Sequence, residues 1–127
     1  MIPRADEAGY HGLGLDSDAA RAAVRLVEAL DDEGVPTIDH LAFLPLNQPQ
    51  DRIDQAKRLL DATRPGVTHF ILHPAQESPE LRAITPDDWP SRVADYEAFT
   101  SEALRAYVRA SGIHIVGYHA LRDAART

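Results

Sequence analysis

Residues 67–75 read VTHFILHPA, an apolar and β-prone run that ends in a histidine followed by a proline. Proline lacks the N–H that would continue a strand ladder, and it favours extended geometry in the residue before it. The pattern therefore predicts a strand over 67–72 that is closed by His73, with the imidazole at the carboxyl edge of the sheet. Ligands gather at this edge in parallel α/β folds. Because histidine exchanges protons near neutral pH, His73 is the first candidate for a functional residue.

Helical and strand patterns alternate on both sides of this run. Apolar residues at helical spacing, including Ala19, Leu26 and Val27, predict a helix between an N-cap at Ser17 and a stop at Gly34. The remaining predicted elements are a strand over 36–43, helices over 50–62, 90–99 and 102–111, and a strand over 113–118. The composition of residues 1–16 predicts an irregular N-terminal arm, and prolines predict a long loop over 74–88.

The order of these elements predicts an α/β fold. Helices between successive strands favour parallel pairing. Parallel sheets need cover on both faces, and a complete (β/α) barrel takes about 250 residues. We therefore expect a single domain over 1–127, a partial (β/α) barrel with about three parallel strands and four helices.

Charge and composition exclude several classes of partner and site. The chain has 20 acidic and 13 basic residues and a net charge of −7, which argues against nucleic acid or an anionic membrane as partner. It contains no cysteine, which excludes disulfides and thiolate zinc sites. With no apolar run of membrane-spanning length and no signal pattern at its start, the sequence predicts a soluble, cytoplasmic protein.

Three histidines fall near predicted strand ends. His40 is late in the first strand, His73 closes the second, and His119 follows the third. If the strands are parallel, all three lie at one rim of the sheet, and His40 and His119 then become candidates for substrate binding beside a catalytic His73. The alternative for each is a polar residue tolerated at a loop boundary.

Trp89 lies in the segment after the central strand and has two interpretations. It is either a packing anchor or a stacking platform for a sugar ring, and we include it among the substrate-binding candidates. His69 and His73 share a strand face, but their Cα atoms should be roughly 13 Å apart, too far to chelate one zinc ion. His69 and His114 are expected to be packed side chains. The sequence therefore predicts no metal site within the chain itself.

Acidic residues near helix ends are predicted to be structural. Asp31 and Asp32 end a helix and should be solvated. Asp88 should cap the helix that follows it. Arg92 and Asp95 are three residues apart on that helix and are expected to form a surface pair of little energetic value.

The sequence around His73 resembles the late histidine motif of the YdjC-like carbohydrate deacetylases. The matching runs are residues 66–75 (GVTHFILHPA), 91–99 (SRVADYEAF), 101–104 (SEAL) and 112–118 (GIHIVGY). The resemblance extends over about residues 17–123 and corresponds to the carboxyl-terminal half of that family. No counterpart is present for the family's early strand that ends in paired aspartates, or for the histidines that complete its metal site.

This resemblance implies a metal-dependent hydrolase on a (β/α) barrel, similar to polysaccharide deacetylases, that removes acetyl groups from amino sugars or oligosaccharides. A divalent metal, Zn²⁺ or Mg²⁺, would polarise the amide carbonyl in the full-length family. His73 would protonate the leaving amine or stabilise the oxyanion. We expect a truncated or split deacetylase that forms a homo-oligomer or pairs with a missing N-terminal half. The alternative is a non-catalytic α/β interaction module that self-associates or docks to a partner chain through exposed sheet edges.

Overall fold

The computed structural model describes residues 2–124, which contain short parallel strands and several helices and so confirm the mixed α/β composition. The strands are β1 (Ile2–Pro3), β2 (Thr37–Ile38), β3 (His40–Phe43) and β4 (Thr68–Ile71). The helices are α1 (Glu7–Gly12), α2 (Ser17–Asp32), α3 (Arg52–Asp61), α4 (Pro79–Ile84), α5 (Trp89–Thr100), α6 (Glu102–Ala110) and α7 (Tyr118–Ala124).

The strands form two separate two-stranded parallel sheets. In one, β1 pairs with β2, and Ile2 lies opposite Thr37. In the other, β3 pairs with β4, and α3 connects them as the helix of a βαβ unit. Neither sheet closes into a barrel within residues 2–124.

The chain divides into two compact units, each with its own buried residues. The first unit takes the described residues within 1–42, 64–70 and 116–127, and the second takes 43–63 and 71–115. In the first unit α1 packs on α2, and the buried apolar residues are Ala20, Val27 and Ile38. In the second unit α3, α5 and α6 pack on one another around Leu44, Ala56, Leu60, Ala98 and Leu104.

Residues 2–16 do not form the predicted irregular arm, and Met1 lies outside the described residues. Ile2 N donates to Pro36 O at 3.3 Å and Arg4 N donates to Ile38 O at 2.8 Å. These hydrogen bonds pair residues at the start of the sequence with β2, and Ile2–Pro3 is therefore a strand. Asp6 then caps α1, because its side chain accepts a hydrogen bond from Gly9 N.

The predicted N-cap of α2 and part of its predicted buried face are also wrong. Asp16, not Ser17, is the N-cap of α2, and its carboxylate accepts hydrogen bonds from Asp18 N and Ala19 N. Ala19 and Leu26, predicted to face inward, are exposed, whereas Ala20 and Val27 are buried. Apolar spacing alone could not separate these registers in a run so rich in alanine.

The first predicted strand is interrupted at Asp39, which divides it into β2 and β3. The Asp39 carboxylate accepts a hydrogen bond from Val67 N at 2.8 Å, just before β4 begins. Gly66 has a φ of 121°, and a Cβ there would lie 2.8 Å from Asp39 Oδ2. Only glycine fits this close approach without strain.

Two further predictions differ from the structure. The predicted loop over 74–88 contains α4, which begins where Ser78 Oγ accepts a hydrogen bond from Leu81 N. The predicted strand over 113–118 is wrong, because residues 113–117 have no regular secondary structure and α7 begins at Tyr118. Ile115 and Val116 are 83% and 54% exposed. Their β propensity forms no strand without a neighbouring strand to supply hydrogen bonds.

Candidate functional site

His73 lies two residues beyond Ile71, the last residue of β4, on the carboxyl side that the sequence predicts. Its backbone N–H donates to Asp95 Oδ2 at 3.0 Å. Pro74 has no N–H, and the next backbone donor, Ala75 N, bonds to Arg92 O at 3.1 Å. Two residues of α5 therefore hold the chain as it leaves the strand, and His73 itself is half-buried.

Asp95 forms a buried ion pair with Arg52, the first residue of α3. Arg52 Nε donates to Asp95 Oδ1 at 2.6 Å, and the two side chains are only 3% and 1% exposed. Both charges are withdrawn from solvent, so each depends on the other for compensation. Removing one partner of such a pair costs about 3–5 kcal/mol. The predicted surface pair between Arg92 and Asp95 is therefore wrong: Asp95 faces inward and binds Arg52.

The guanidinium of Arg52 also organises the loop after β3. Its Nη1 donates to Pro45 O at 2.8 Å, to Gln48 O at 3.1 Å and to Gln55 Oε1 at 3.2 Å. Gln55 Nε2 in turn donates to Gln48 O at 2.9 Å. Arg52 thus links two segments of the chain. It binds the loop after β3 directly, and it binds Asp95, which holds the segment after β4.

Polar atoms without partners accompany this pair. Arg52 Nη2, His73 Nδ1 and Ser91 Oγ are buried and have no hydrogen-bond partner among the described residues. Nη2 belongs to the guanidinium that binds Asp95, and Ser91 lies one turn before Asp95 on the buried face of α5. Since buried polar groups are normally paired, this concentration marks the region as a candidate site for a polar ligand.

Asp88 occupies the N-cap position of α5 but does not cap the helix with its side chain. Its Oδ2 instead accepts a hydrogen bond from Arg92 Nη2 at 3.1 Å, one turn along the helix. The prediction of a side-chain cap is therefore wrong, because the arginine competes for the carboxylate.

Trp89, the first residue of α5, packs against a charged side chain. The Arg82 guanidinium lies 4.5 Å from the centre of its ring, and Arg82 is also paired with Glu77. Such a cation–π contact contributes about 0.5–1 kcal/mol when exposed. This contact occupies one face of the indole and favours the anchor interpretation, while substrate stacking on Trp89 stays a prediction.

His40 is the first residue of β3, not a late one, so its predicted place at the carboxyl rim is wrong. Its Nε2 donates to Pro65 O at 3.1 Å, and Arg64 Nη2 lies 3.4 Å from its Nδ1. Because the predicted strand is interrupted at Asp39, β3 begins at His40. Both ring nitrogens are in contact with the chain segment that leads into β4.

His119 lies on α7 and is exposed, so its predicted place after a third strand is wrong. Its neighbour Tyr118 places its hydroxyl 2.5 Å from His69 Nδ1, with the rings 5.7 Å apart. His69 is half-buried, as expected of a packed side chain, whereas His114 is exposed.

Asp31 lies at the end of α2 with 39% of its side chain exposed, and it has partners that the sequence spacing did not indicate. Thr37 Oγ1 donates to its Oδ1 at 2.9 Å, and Arg4 forms an ion pair with it. The hydrogen bond from Thr37 and then the one from Arg4 hold the pKa of the Asp31 carboxyl below its ordinary value. The partners come from β2 and the segment after β1, which explains why sequence spacing did not reveal them.

Residues 2–124 contain no group of three or more His, Asp or Glu side chains arranged to hold a metal ion. No helix in the same range has the length and apolar character needed to span a membrane.

Comparisons with known proteins return no match: no family model, curated protein or solved structure aligns with the chain.

Proposed function

We propose that the chain is part of a carbohydrate N-deacetylase of the YdjC-like type, with His73 as general acid or oxyanion stabiliser. The observation that carries the proposal is the position of His73 two residues beyond the carboxyl end of β4, with its backbone N–H bound to the carboxylate of a buried ion pair. The βαβ unit of β3, α3 and β4 is consistent with a segment of a (β/α) barrel.

The chemistry assigned to His73 is delivery of a proton. Amide hydrolysis adds water to the acetyl carbon and breaks the C–N bond, and the leaving nitrogen needs a proton to depart as an amine. An imidazolium can supply that proton, and general acid catalysis of this kind contributes about 10²–10⁴-fold in rate. Alternatively, the same imidazolium can donate a hydrogen bond to the oxyanion.

The side chains of residues 2–124 do not form a group that fits the divalent metal implied by the resemblance. In this proposal Zn²⁺ or Mg²⁺ and the acidic base are held by residues of another chain or of a longer protein. The substrate is an amino sugar or an N-acetylated oligosaccharide, with Trp89 as a contact. A cytoplasmic location belongs to the same proposal. His40 and His119 are not retained as substrate contacts, because the shared rim on which they depended is absent.

The first test is acetate release from N-acetylated chito-oligosaccharides by the 127-residue chain, with added Zn²⁺ or Mg²⁺. His73→Ala should lower kcat by about 10²-fold or more. His114→Ala is the matched control, because His114 is exposed, and it should leave turnover unchanged. Equal turnover by His73→Ala and the unaltered chain would remove His73 from the mechanism.

A binding test does not require the chain to be active alone. Trp89 is the single tryptophan, so its fluorescence reports on one site. Addition of an N-acetylated chito-oligosaccharide should change the emission saturably. Absence of both turnover and a fluorescence change would contradict the proposal.

The exposed apolar segment favours a second candidate, a non-catalytic interaction module. Ile115 and Val116 lie in a stretch of strand-like composition that is not paired, and exposed strand-forming segments promote association. On this hypothesis the chain self-associates, and Ile115→Ser with Val116→Ser restores a monomer. Light scattering that shows a stable monomer of the unaltered chain at micromolar concentration would contradict it.

A further inference from the structure

Asp95 uses its two carboxylate oxygens for different partners. Oδ1 accepts from Arg52 Nε at 2.6 Å, and Oδ2 accepts from His73 N at 3.0 Å. A carboxylate that only neutralised Arg52 would be expected to take both Nε and Nη2 in the common bidentate geometry. Among the described residues Nη2 has no hydrogen-bond partner, because the second oxygen accepts a hydrogen bond from His73 N instead.

The backbone of His73 is thus restrained from two directions. Pro74 limits the conformations open to the residue before it. Asp95 fixes the direction of the N–H on the other side of the same Cα. With both peptide groups restrained, the Cα–Cβ bond that carries the imidazole is restrained as well.

Arg52 holds Asp95 in the position that this requires. Its Nη1 is bound to Pro45 O and Gln48 O, so the guanidinium is anchored to the backbone of a loop. A planar guanidinium with one nitrogen anchored presents Nε in a fixed direction, which a lysine cannot do.

We propose that Asp95 is a positioning residue for His73 and that Arg52 acts through Asp95 in the same role. This inference rests on the proposed function of His73. It gives a role to Asp95, which the sequence placed in a surface pair, and to Arg52, which the sequence did not single out. Asp95 acts on the peptide group of His73, so its role is to place the imidazole.

The first measurement is amide hydrogen exchange at His73 in the unaltered 127-residue chain. A donor bound to a buried carboxylate should be protected by at least about tenfold relative to an unstructured peptide. Exchange at the unprotected rate would overturn the proposal without any substitution.

Three variants then separate positioning from stability. Arg52→Met with Asp95→Leu removes both charges and leaves no unpaired one, since apolar pairs often replace buried ion pairs without loss of folding. Arg52→Lys keeps the charge and loses the planar fork, so it provides a folded variant if the first does not fold. Asp88→Asn is the matched control, because it removes a carboxylate of the same helix whose partner is Arg92.

The expected result for the double variant is loss of His73 amide protection and altered imidazole NMR signals, with smaller changes of the same kind in Arg52→Lys. Where turnover is measurable, kcat should fall by about 10–10²-fold with KM within about twofold, because misplacement of a catalytic group slows the reaction more than binding. Asp88→Asn should leave all three readouts unchanged.

Unchanged protection and imidazole signals at His73 in either folded variant would overturn the proposal. An unaltered chain with no turnover would instead count against the proposed function. The exchange and imidazole signals would still decide whether Asp95 positions His73.

Discussion

Replacing Arg52 by methionine should lower the free energy of unfolding by about 3–5 kcal/mol, because Asp95 would remain as a buried carboxylate without a cation. Asp95 is 1% exposed and cannot reach solvent without local rearrangement. Stabilities of small domains are about 5–15 kcal/mol, so the loss is a large fraction of the total.

The assay is urea unfolding followed by circular dichroism. With a slope of about 1–3 kcal/mol per molar urea, the midpoint should fall by roughly 2 M. Adding Asp95→Leu to Arg52→Met should recover most of this loss, since the second substitution removes the unpaired charge.

Asp88→Asn provides the comparison, because the Asp88–Arg92 pair is partly exposed and should contribute no more than about 1 kcal/mol. A midpoint for Arg52→Met that lies as close to the unaltered chain as that of Asp88→Asn would show that Asp95 does not need Arg52 to compensate its charge. So would a double variant that is less stable than Arg52→Met alone.

Three other substitutions have defined outcomes. The lowered pKa of Asp31, held by Thr37, contributes stability above the unfolded-state pKa that is lost as pH falls through the folded-state pKa, so Asp31→Asn should flatten the acid limb of unfolding free energy against pH. Gly66→Ala should cost about 1–3 kcal/mol in urea unfolding, since its Cβ would meet Asp39. Gly14→Ala, at φ 92° with open space, should cost less. An equal loss at both glycines would contradict the close-approach argument.

The elements that sequence predicts well are those fixed by local chemistry. Pro74 cannot donate a hydrogen bond to a strand ladder, and β4 ends at Ile71, three residues before it. The helix over 50–62 follows from the spacing of Ala56 and Leu60, which are both buried on α3. Neither inference needs knowledge of a distant residue.

The elements that sequence misses depend on partners far along the chain. Arg52 and Asp95 are separated by 43 residues, and only the packing of α3 on α5 brings them together. A strand at Ile115 needs a neighbouring strand, which its β-branched composition cannot guarantee. The prediction that His40 lies late in a strand is wrong for the same reason. The strand is interrupted at Asp39, whose carboxylate binds the N–H of the distant Val67, and β3 begins only at His40.

The most direct test of the account is a histidine-selective NMR titration of the 127-residue chain with an N-acetylated chito-oligosaccharide. We expect a saturable shift of the His73 imidazole signals, with the signals of the exposed His114 unchanged. A His73 signal that does not move while the sugar binds, or a shift confined to other histidines, would contradict it.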